Sequence, residues 1–262
     1  MKGTAVITGA SSGIGAIYAD RFADRGYDLI LVARRADQLS LVADRIRSRT
    51  GRKVEIFPAD LTDELDIARV ETLLKSEPSV SLLVNNAGLG GAGTLLQSDV
   101  DTMSSMIALN VTALMRLTYA IVPKFVARGA GTIINIGSVV AITPETLNGV
   151  YGGTKAFVLA FSQNLRKELE GSGVHVQVVL PGATHTDFWA ISGRPVELLP
   201  KDIVMSSDDL VDAALIGLDR GEFVTIPPLQ DAALFDAYEG ARQAMVGQLS
   251  NATPALRYRV AA

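Results

Sequence analysis

Residues Thr4–Gly15 read TAVITGASSGIG, an apolar β-branched run that meets a glycine-rich turn. Glycines at such a junction let the backbone turn tightly, and they let a pyrophosphate approach the N–H groups at the positive end of the following helix. The spacing differs from the G-x-G-x-x-G of other dinucleotide-binding folds, so an ordinary glycine-rich turn is an alternative. Because the stretch opens a chain of alternating strands and helices, it favours a nucleotide-binding site.

Short β-branched runs alternate with longer amphipathic stretches from this point to Pro227. The pattern is typical of a doubly wound α/β fold, in which helices cover both faces of a parallel sheet. We predict seven strands, at Ala5–Thr8, Asp28–Ala33, Val54–Pro58, Leu82–Asn85, Thr132–Ile136, Val174–Leu180 and Phe223–Ile226. We predict the connecting helices at Gly13–Arg25, Ala36–Thr50, Asp63–Ser76, Val100–Arg128, Gly149–Glu170 and Ser207–Arg220.

The length of 262 residues and the hydrophobic content of 48% predict one large domain over residues 1–262. Residues 186–206 contain one glycine and two prolines and interrupt the alternation, so we interpret them as a substrate-loop insertion after the sixth strand. Residues 229–262 form a C-terminal extension, helix-like as far as Leu249 and followed by a tail.

Composition excludes several classes of function. The chain has 24 basic and 28 acidic residues and a formal charge of -4, without a basic cluster that would track nucleic acid or an anionic membrane. It has no cysteine and only two histidines, which disfavours a zinc-dependent dehydrogenase and predicts no metal site. We see no signal peptide and no run long enough to span a bilayer, so we expect a cytoplasmic protein without a membrane partner.

A pair of side chains suggests proton transfer. Tyr151 and Lys155 are four residues apart, and on a helix this spacing places them on one face. An adjacent cation favours the phenolate, so we expect Lys155 to bring the pKa of Tyr151 down from about 10 toward neutrality. The spacing also arises by chance, and a half-buried aromatic beside a solvated lysine is the alternative.

Other motifs occur along the chain in a fixed order. After the predicted third and fourth strands come Asp60-Leu61 and Asn85-Asn86-Ala87-Gly88, and Asn110 and Ser138 precede the tyrosine. Together with the first glycine-rich turn and Tyr-x-x-x-Lys, these motifs resemble the short-chain dehydrogenase/reductase family over residues 4–227. The resemblance implies a Rossmann-type, seven-stranded parallel sheet in the order 3-2-1-4-5-6-7, with a nicotinamide cofactor along its C-terminal edge.

The resemblance also implies a role for each residue. Tyr151 would be the acid/base, Ser138 would position the substrate oxygen, Lys155 would favour the phenolate and bind the nicotinamide ribose, and Asn110 would interrupt its helix and hold a relay water. Asn86 would tie the fourth strand to the first near Thr8. The expected cofactor contacts are Gly9, Ser11, Ser12, Gly13, Ile14, Gly15, Arg34, Arg35, Asp60, Leu61, Asn86, Ala87, Gly88, Tyr151, Lys155, Pro181, Gly182, Thr184 and Thr186.

The end of the second strand indicates which nicotinamide cofactor is used. An acidic residue there would accept hydrogen bonds from the ribose hydroxyls of NAD, whereas an arginine can clasp the 2′-phosphate of NADP. This chain has Arg34 and Arg35 and no acid at that point, so we predict NADP(H). Two solvated arginines at the start of a helix are the alternative. Asp60 also suits a cap for the helix predicted from Asp63.

The loops expected to meet the substrate are largely apolar: Leu89–Ala92, Val139–Asn148 and the segment from Thr186 to Trp189. We therefore predict an oxidoreductase acting on an apolar carbonyl/alcohol pair. A 3-oxoacyl thioester reductase and a non-catalytic NADP-binding sensor are the alternatives. By resemblance, the two long helices would form a homodimer or homotetramer, although burial within one chain explains their apolar faces as well.

Overall fold

The structure is a computed structural model that describes residues 2–91, 93–186, 188–191 and 195–259. It divides into two compact units, Met1–Pro228 and Leu229–Ala262. The boundary between the units lies at the start of the C-terminal extension that the sequence indicated. That residues 1–262 form a single domain stays a prediction. Among the described residues of the second unit, the α-helix Ala232–Ala244 is shorter than the predicted Leu229–Leu249.

The first unit is built on a parallel sheet of seven strands in the order β3-β2-β1-β4-β5-β6-β7, which confirms the predicted fold class. Register places Val6 between Ile30 on one side and Leu83 on the other. The strands are β1 Thr4–Thr8, β2 Asp28–Ala33, β3 Val54–Pro58, β4 Val80–Asn85, β5 Gly131–Ile136, β6 Val174–Val179 and β7 Val224–Thr225. The last of them is shorter than predicted.

Helices follow the strands at nearly the predicted bounds. They are α1 Gly13–Asp24, α2 Ala36–Thr50, α3 Glu64–Ser76, α4 Val100–Ile107, α5 Leu114–Arg128, α6 Gly149–Glu168, α7 Phe188–Ile191, α8 Ser207–Asp219 and, in the second unit, α9 Ala232–Ala244. Within the predicted insertion, α7 is followed by two short 3₁₀ turns, Val196–Leu198 and Lys201–Ile203.

Alternate residues of each central strand enter different cores. Ile7 of β1 packs with Leu31 of β2 in the core that contains α1, α2 and α8, whereas Val6 packs with Leu83 in the core that contains α3 and α5. Successive side chains of a strand point to opposite faces, so a strand covered on both faces is apolar throughout. All strands run in one direction, and their carboxyl ends therefore meet at one edge of the sheet.

The predicted helix Val100–Arg128 is not one regular helix. Between α4 and α5 lies a π-helical segment, Ala108–Ala113, which contains Asn110. A π-helical turn widens the helix by one residue and frees side chains for other partners, and such segments occur frequently at functional sites. The predicted interruption at Asn110 is therefore confirmed.

The expectation that no segment is long enough to span a bilayer is wrong, because Val100–Arg128 is sufficiently long and apolar. A core helix of a soluble protein passes the same test, so the finding is weak evidence for a membrane segment. Here 44% of the tested stretch is buried inside the fold. Within it, Thr118 accepts a hydrogen bond from Asn85 at the end of β4, over 3.1 Å.

Candidate active site

A cavity of about 670 Å³ opens at the carboxyl edge of the sheet. It is lined by the glycine-rich turn after β1, the ends of the central strands, the start of α6, and α7. All the site residues predicted from the sequence line it except Gly15 and Asn110, which lie behind its wall. Folding thus brings together motifs that are far apart in the chain.

The glycine-rich turn is shaped for close approach. Gly9 and Gly13 have φ values of 65° and 52°, which side chains rarely adopt. A Cβ at Gly15 would overlap the carbonyl oxygen of Gly9, so this glycine supports the turn from behind. Ser12 stands at the N-cap of α1 but makes no side-chain cap hydrogen bond. The N–H groups of the first turn are therefore available to an anion.

Two arginines follow β2 at the edge of the same cavity. The side chain of Arg34 is 63% exposed, and its Nη1 lies 3.9 Å from Oδ2 of Asp60. This distance indicates a weak ion pair that leaves the guanidinium accessible to a stronger anion. The suggestion that Asp60 caps α3 is wrong, because Asp63 accepts the hydrogen bonds from the first turn while Asp60 binds Thr62.

The turn after β4 is tied to β1. The backbone N–H of Asn86 donates to Oγ1 of Thr8 over 2.9 Å, and its side-chain amide donates to the Thr8 carbonyl over 2.9 Å. These bonds confirm the predicted link between the fourth and first strands. They hold Gly88 beside the reactive groups, where a Cβ would come within 3.7 Å of the Lys155 amine.

Tyr151 and Lys155 lie one turn apart at the beginning of α6. Both are only 6% exposed. The Lys155 ammonium lies 5.8 Å from the centre of the Tyr151 ring and donates to the carbonyl oxygen of Ile136 over 2.9 Å. The helical spacing therefore places the two groups together, as predicted, and the end of β5 holds the lysine.

The expected pKa of Tyr151 is wrong in direction. Burial raises the pKa of Tyr151 to about 12, and a hydrogen bond with Ser138 opposes this rise. Burial lowers the pKa of Lys155 to about 8. Removal from water disfavours the charged form of each group, and it is the largest cause of both shifts. The protein without cofactor therefore holds a protonated phenol beside an amine that loses its proton easily.

Ser138 follows β5 by two residues and is buried. Its hydroxyl donates to the carbonyl oxygen of Pro181 and accepts from the N–H of Val140, both over a long 3.4 Å. Long hydrogen bonds are readily exchanged for a better partner. The hydroxyl therefore suits an oxygen acceptor that enters the cavity beside Tyr151.

Asn110 connects the π-helical segment to two neighbours of the site. Its Oδ1 accepts from the N–H of Leu89, and its Nδ2 donates to the Leu89 carbonyl, each over 2.8 Å. Nδ2 also donates to Oγ1 of Thr154 over 3.1 Å, and that hydroxyl donates to the carbonyl of Tyr151 over 2.8 Å. The side chain thus binds protein groups around the cavity.

Aromatic side chains cover the tyrosine. The Phe188 ring in α7 lies 5.6 Å from the Tyr151 ring, and Trp189 donates from Nε1 to the Thr184 carbonyl over 2.9 Å. A Cβ at Gly90 would overlap the Phe188 ring, so the two sides of the cavity touch here. Ala92 and Asp187, also predicted near the substrate, lie outside the described residues.

The comparisons with known proteins agree with this geometry. The sequence profile described as short chain dehydrogenase matches residues 3–195. The chain belongs to the short-chain dehydrogenase family. A sulfoacetaldehyde reductase of Chromohalobacter salexigens is 40% identical over 191 residues, which cover 72% of this chain and 75% of that protein.

Two solved structures of the family are similar over almost the whole chain. A short-chain dehydrogenase from Sphingobium yanoikuyae in complex with NADPH is 50% identical, with a TM-score of 0.95, and covers 98% of this chain and 100% of its own. The bulky-bulky ketone specific alcohol dehydrogenase from Comamonas testosteroni is 45% identical, with a TM-score of 0.90, and covers 98% of each chain.

Sequence reasoning missed two polar residues of this short-chain dehydrogenase. Thr154 connects Asn110 to Tyr151, and its place within the Tyr-x-x-x-Lys motif gave no separate signal. Asn148 caps α6, and an asparagine before a helix that begins with Gly149 is a recognisable N-cap signal. Within the described residues, no group of three or more histidine or acidic side chains could hold a metal ion.

The lowered pKa of Lys155 predicts how stability responds to pH. Between pH 8 and 10.5 the unfolded chain keeps this proton while the folded chain releases it, so folding should become more favourable as pH rises. Between about pH 7 and about pH 9.5, we expect this group to contribute about 2 kcal/mol to the increase in unfolding free energy.

Urea denaturation of the cofactor-free protein and of Lys155→Met measures this contribution. The variant should lack the increase, and the difference between the two proteins isolates Lys155 from other titrating groups. Equal pH dependence in the two proteins would contradict the lowered pKa. Lys167→Met, at an exposed position in the last turn of α6, is the control and should behave like the unchanged protein.

Proposed function

We propose that this protein is an NADP(H)-dependent oxidoreductase that interconverts bulky, apolar ketones and their alcohols. The proposal rests on one observation. A single cavity contains both the N-terminus of α1, whose backbone N–H groups can bind an anion, and the buried side chains of Tyr151, Ser138 and Lys155. The first feature suits a dinucleotide, and the second suits proton transfer to a carbonyl oxygen.

The residues present fit NADP(H). Gly9 and Gly13 leave space over the uncapped start of α1 for a pyrophosphate, and Arg34 lies where an additional phosphate on the adenosine ribose can be bound. NADPH is also the cofactor named for the similar structure from Sphingobium yanoikuyae. When bound, this cofactor supplies the hydride for carbonyl reduction.

Side chains of this protein bind the carbonyl oxygen of the substrate and supply the proton that it receives. The Tyr151 phenol holds its proton across the neutral range and donates it to the carbonyl oxygen, which becomes the alcohol oxygen. The Ser138 hydroxyl binds the same oxygen and fixes its distance from the phenol. Lys155, held by the Ile136 carbonyl, places a cation beside the phenol and favours the phenolate that remains.

Asn110 supports this arrangement through the backbone. Its side chain holds the Leu89 backbone, and through Thr154 it holds the carbonyl of Tyr151. We include in the proposal that Asn110 also holds a water near Lys155, through which the phenolate regains its proton. Thr184 and Thr186 line the cavity near its end and are assigned to the nicotinamide carboxamide.

Apolar groups around Tyr151 support a bulky ketone as substrate. The wall consists of Leu89, Val140, Leu147, Phe188 and Trp189, with no acidic or basic side chain among them. A ketone with large groups on both sides buries apolar area against this wall, and these five side chains offer a charged metabolite no ion pair. The similar alcohol dehydrogenase from Comamonas testosteroni is described as specific for such ketones.

The contact between Gly90 and Phe188 predicts a specific pattern of substrate sizes. Phe188→Ala should raise kcat/KM for benzophenone relative to acetone by about tenfold, because removal of the ring opens space beside Tyr151. Gly90→Ala should lower kcat/KM for both ketones about tenfold, because its methyl group overlaps the ring. Initial rates of NADPH oxidation measure both effects.

The double variant is the decisive control. Gly90→Ala should have little effect once Phe188 is alanine, because the ring that the methyl group meets is gone. If the two substitutions act independently, the contact between Gly90 and Phe188 does not shape the substrate site.

A spectrophotometric screen tests the proposed function as a whole. NADPH oxidation is followed with aldehydes, bulky ketones, steroids, sugars and 3-oxoacyl thioesters, and NADP reduction with the matching alcohols. We expect the highest kcat/KM with ketones that carry large apolar groups on both sides. Tight NADPH binding without turnover of any carbonyl would instead indicate a non-catalytic nucleotide sensor.

Assembly and location are part of the same proposal. Tyr119 of α5 is 70% exposed and stacks on Phe161 of α6, which in turn stacks on Phe157. This aromatic surface on the two long helices supports a homodimer or homotetramer, which sedimentation of the purified chain measures. A cytoplasmic location is consistent with the use of a freely exchanging nucleotide.

A further inference from the structure

Asn148 stands directly before α6, the helix that carries Tyr151, and its side chain is buried. Its Oδ1 accepts hydrogen bonds from the backbone N–H of Val150 over 2.9 Å and from that of Tyr151 over 3.3 Å. These bonds satisfy two of the donors that the first turn of a helix leaves unpaired. The cap therefore acts on the backbone of the reactive tyrosine itself.

The other end of the same side chain binds a different segment. Nδ2 of Asn148 donates to the carbonyl of Gly93 over 2.7 Å and to Oγ of Ser98 over 3.1 Å. The Ser98 hydroxyl in turn donates to the Thr94 carbonyl over 2.8 Å. The Asn148 amide thus donates two hydrogen bonds from its nitrogen and accepts two at its oxygen. All its bonding capacity is used, and this fixes the orientation of the amide.

The segment that the amide binds belongs to the substrate side of the cavity. It continues the loop after β4, in which Leu89 and Gly90 line the cavity and Gly90 meets Phe188. A Cβ at Gly91 would lie 3.7 Å from Cβ of Asn148, so the loop passes directly over this residue. Asn148 itself does not line the cavity and acts on the substrate only through its neighbours.

We infer that Asn148 is a positioning residue. Its one side chain binds both the loop at residues 93–98 and the first turn of α6, and so holds the apolar wall of the substrate site in place beside Tyr151. The inference rests on the proposed function, because it takes Tyr151 as the group that meets the carbonyl. Loss of the loop contacts loosens the wall and weakens ketone binding. Loss of the cap disturbs the tyrosine and slows the reaction.

Two substitutions separate these roles. Asn148→Ser keeps an acceptor at the N-cap but is too short to reach Gly93 and Ser98, whereas Asn148→Ala removes both functions. With valerophenone and saturating NADPH, we expect Asn148→Ser to raise KM about tenfold and to change kcat by less than about threefold. Asn148→Ala should show the same KM and a kcat lower by about tenfold.

Ser98→Ala tests the loop contact without changing the helix cap. It should raise KM about threefold alone and clearly less in the Asn148→Ser background, because the bond from Asn148 is already lost there and only the bonds of Ser98 to Thr94 and Gly93 remain to be removed. An unchanged KM in Asn148→Ser and Ser98→Ala, or fully additive effects, would overturn the inference. If Asn148→Ser does not fold, Ser98→Ala alone decides by the same criterion.

Amide hydrogen exchange gives a reading that does not depend on the substrate. Exchange in residues 89–98 should become about tenfold faster in Asn148→Ser while the first turn of α6 stays protected. Unchanged exchange in the loop would overturn the inference. The unchanged enzyme separates the two proposals. If it does not reduce valerophenone with NADPH, the proposed function fails; if it does, and Asn148→Ser has the same KM and the same loop exchange, the inference alone fails.

Discussion

Replacement of Tyr151 by phenylalanine is expected to lower kcat for ketone reduction by about 10³-fold, the usual contribution of a positioned general acid. The ring stays against Phe188, and only the hydroxyl that donates the proton is lost. The measurement is the steady-state rate of NADPH oxidation with valerophenone. The dissociation constant of NADPH, measured by calorimetry, should change by less than about twofold because the phosphate and ribose contacts remain.

Tyr27→Phe is the matched control, because this phenol directly precedes β2, at the edge of the sheet opposite the cavity, and does not line the cavity. It should leave kcat unchanged. A Tyr151→Phe variant that retains full activity would exclude the phenol as the acid. The hydroxyl of Ser138, the hydrogen-bond partner of Tyr151, would then be the candidate acid.

Replacement of Arg34 by serine is expected to lower kcat/KM for NADPH by about 100-fold and to leave kcat/KM for NADH nearly unchanged. A charge-assisted bond between a guanidinium and a phosphate contributes about 1.5–3 kcal/mol, and NADH lacks that phosphate. The weak pairing of Arg34 with Asp60 leaves the guanidinium available for this contact. Initial rates with each cofactor at a fixed ketone concentration give the ratio of kcat/KM for NADPH to kcat/KM for NADH.

Lys53→Ser, which removes a positive charge at an exposed position outside the cavity, controls for the change in net charge and should affect neither cofactor. If the unchanged enzyme uses NADH as efficiently as NADPH, Arg34 does not select the cofactor. If Arg34→Ser affects both cofactors equally, the arginine supports the fold and not the 2′-phosphate.

Much of the framework was predictable because it depends on residues close together in the chain. Apolar runs gave the strands to within a few residues, and glycines marked the turn that follows β1. The largest error in the predicted elements concerned a π-helical segment, which the apolar periodicity of the sequence does not reveal. A π-helical turn keeps the apolar pattern of its neighbours, so periodicity predicted Val100–Arg128 as one regular helix, and only the family resemblance indicated an interruption at Asn110.

The candidate site was predictable as a set of residues but not as a set of contacts. Resemblance supplied Tyr151, Lys155, Ser138 and Asn110, and the structure places the first three in one cavity. The partners of Asn110 were not foreseen, because Leu89 and Thr154 come from other segments of the chain. Asn148 entered the prediction only as the end of the loop Val139–Asn148. Its N-cap signal was readable, but its bonds to Gly93 and Ser98 could not be foreseen because those residues lie about fifty positions earlier in the chain.

By itself, the sequence determined that strands and helices alternate, that a glycine-rich turn follows the first strand, and that Tyr151 and Lys155 share a helical face. These properties follow from spacing along a single element. Only the tertiary structure decided the charge states of the pair. Their pKa values depend on which groups exclude water from them, and these groups, Phe188 and the end of β5 among them, reach the site only when the chain folds.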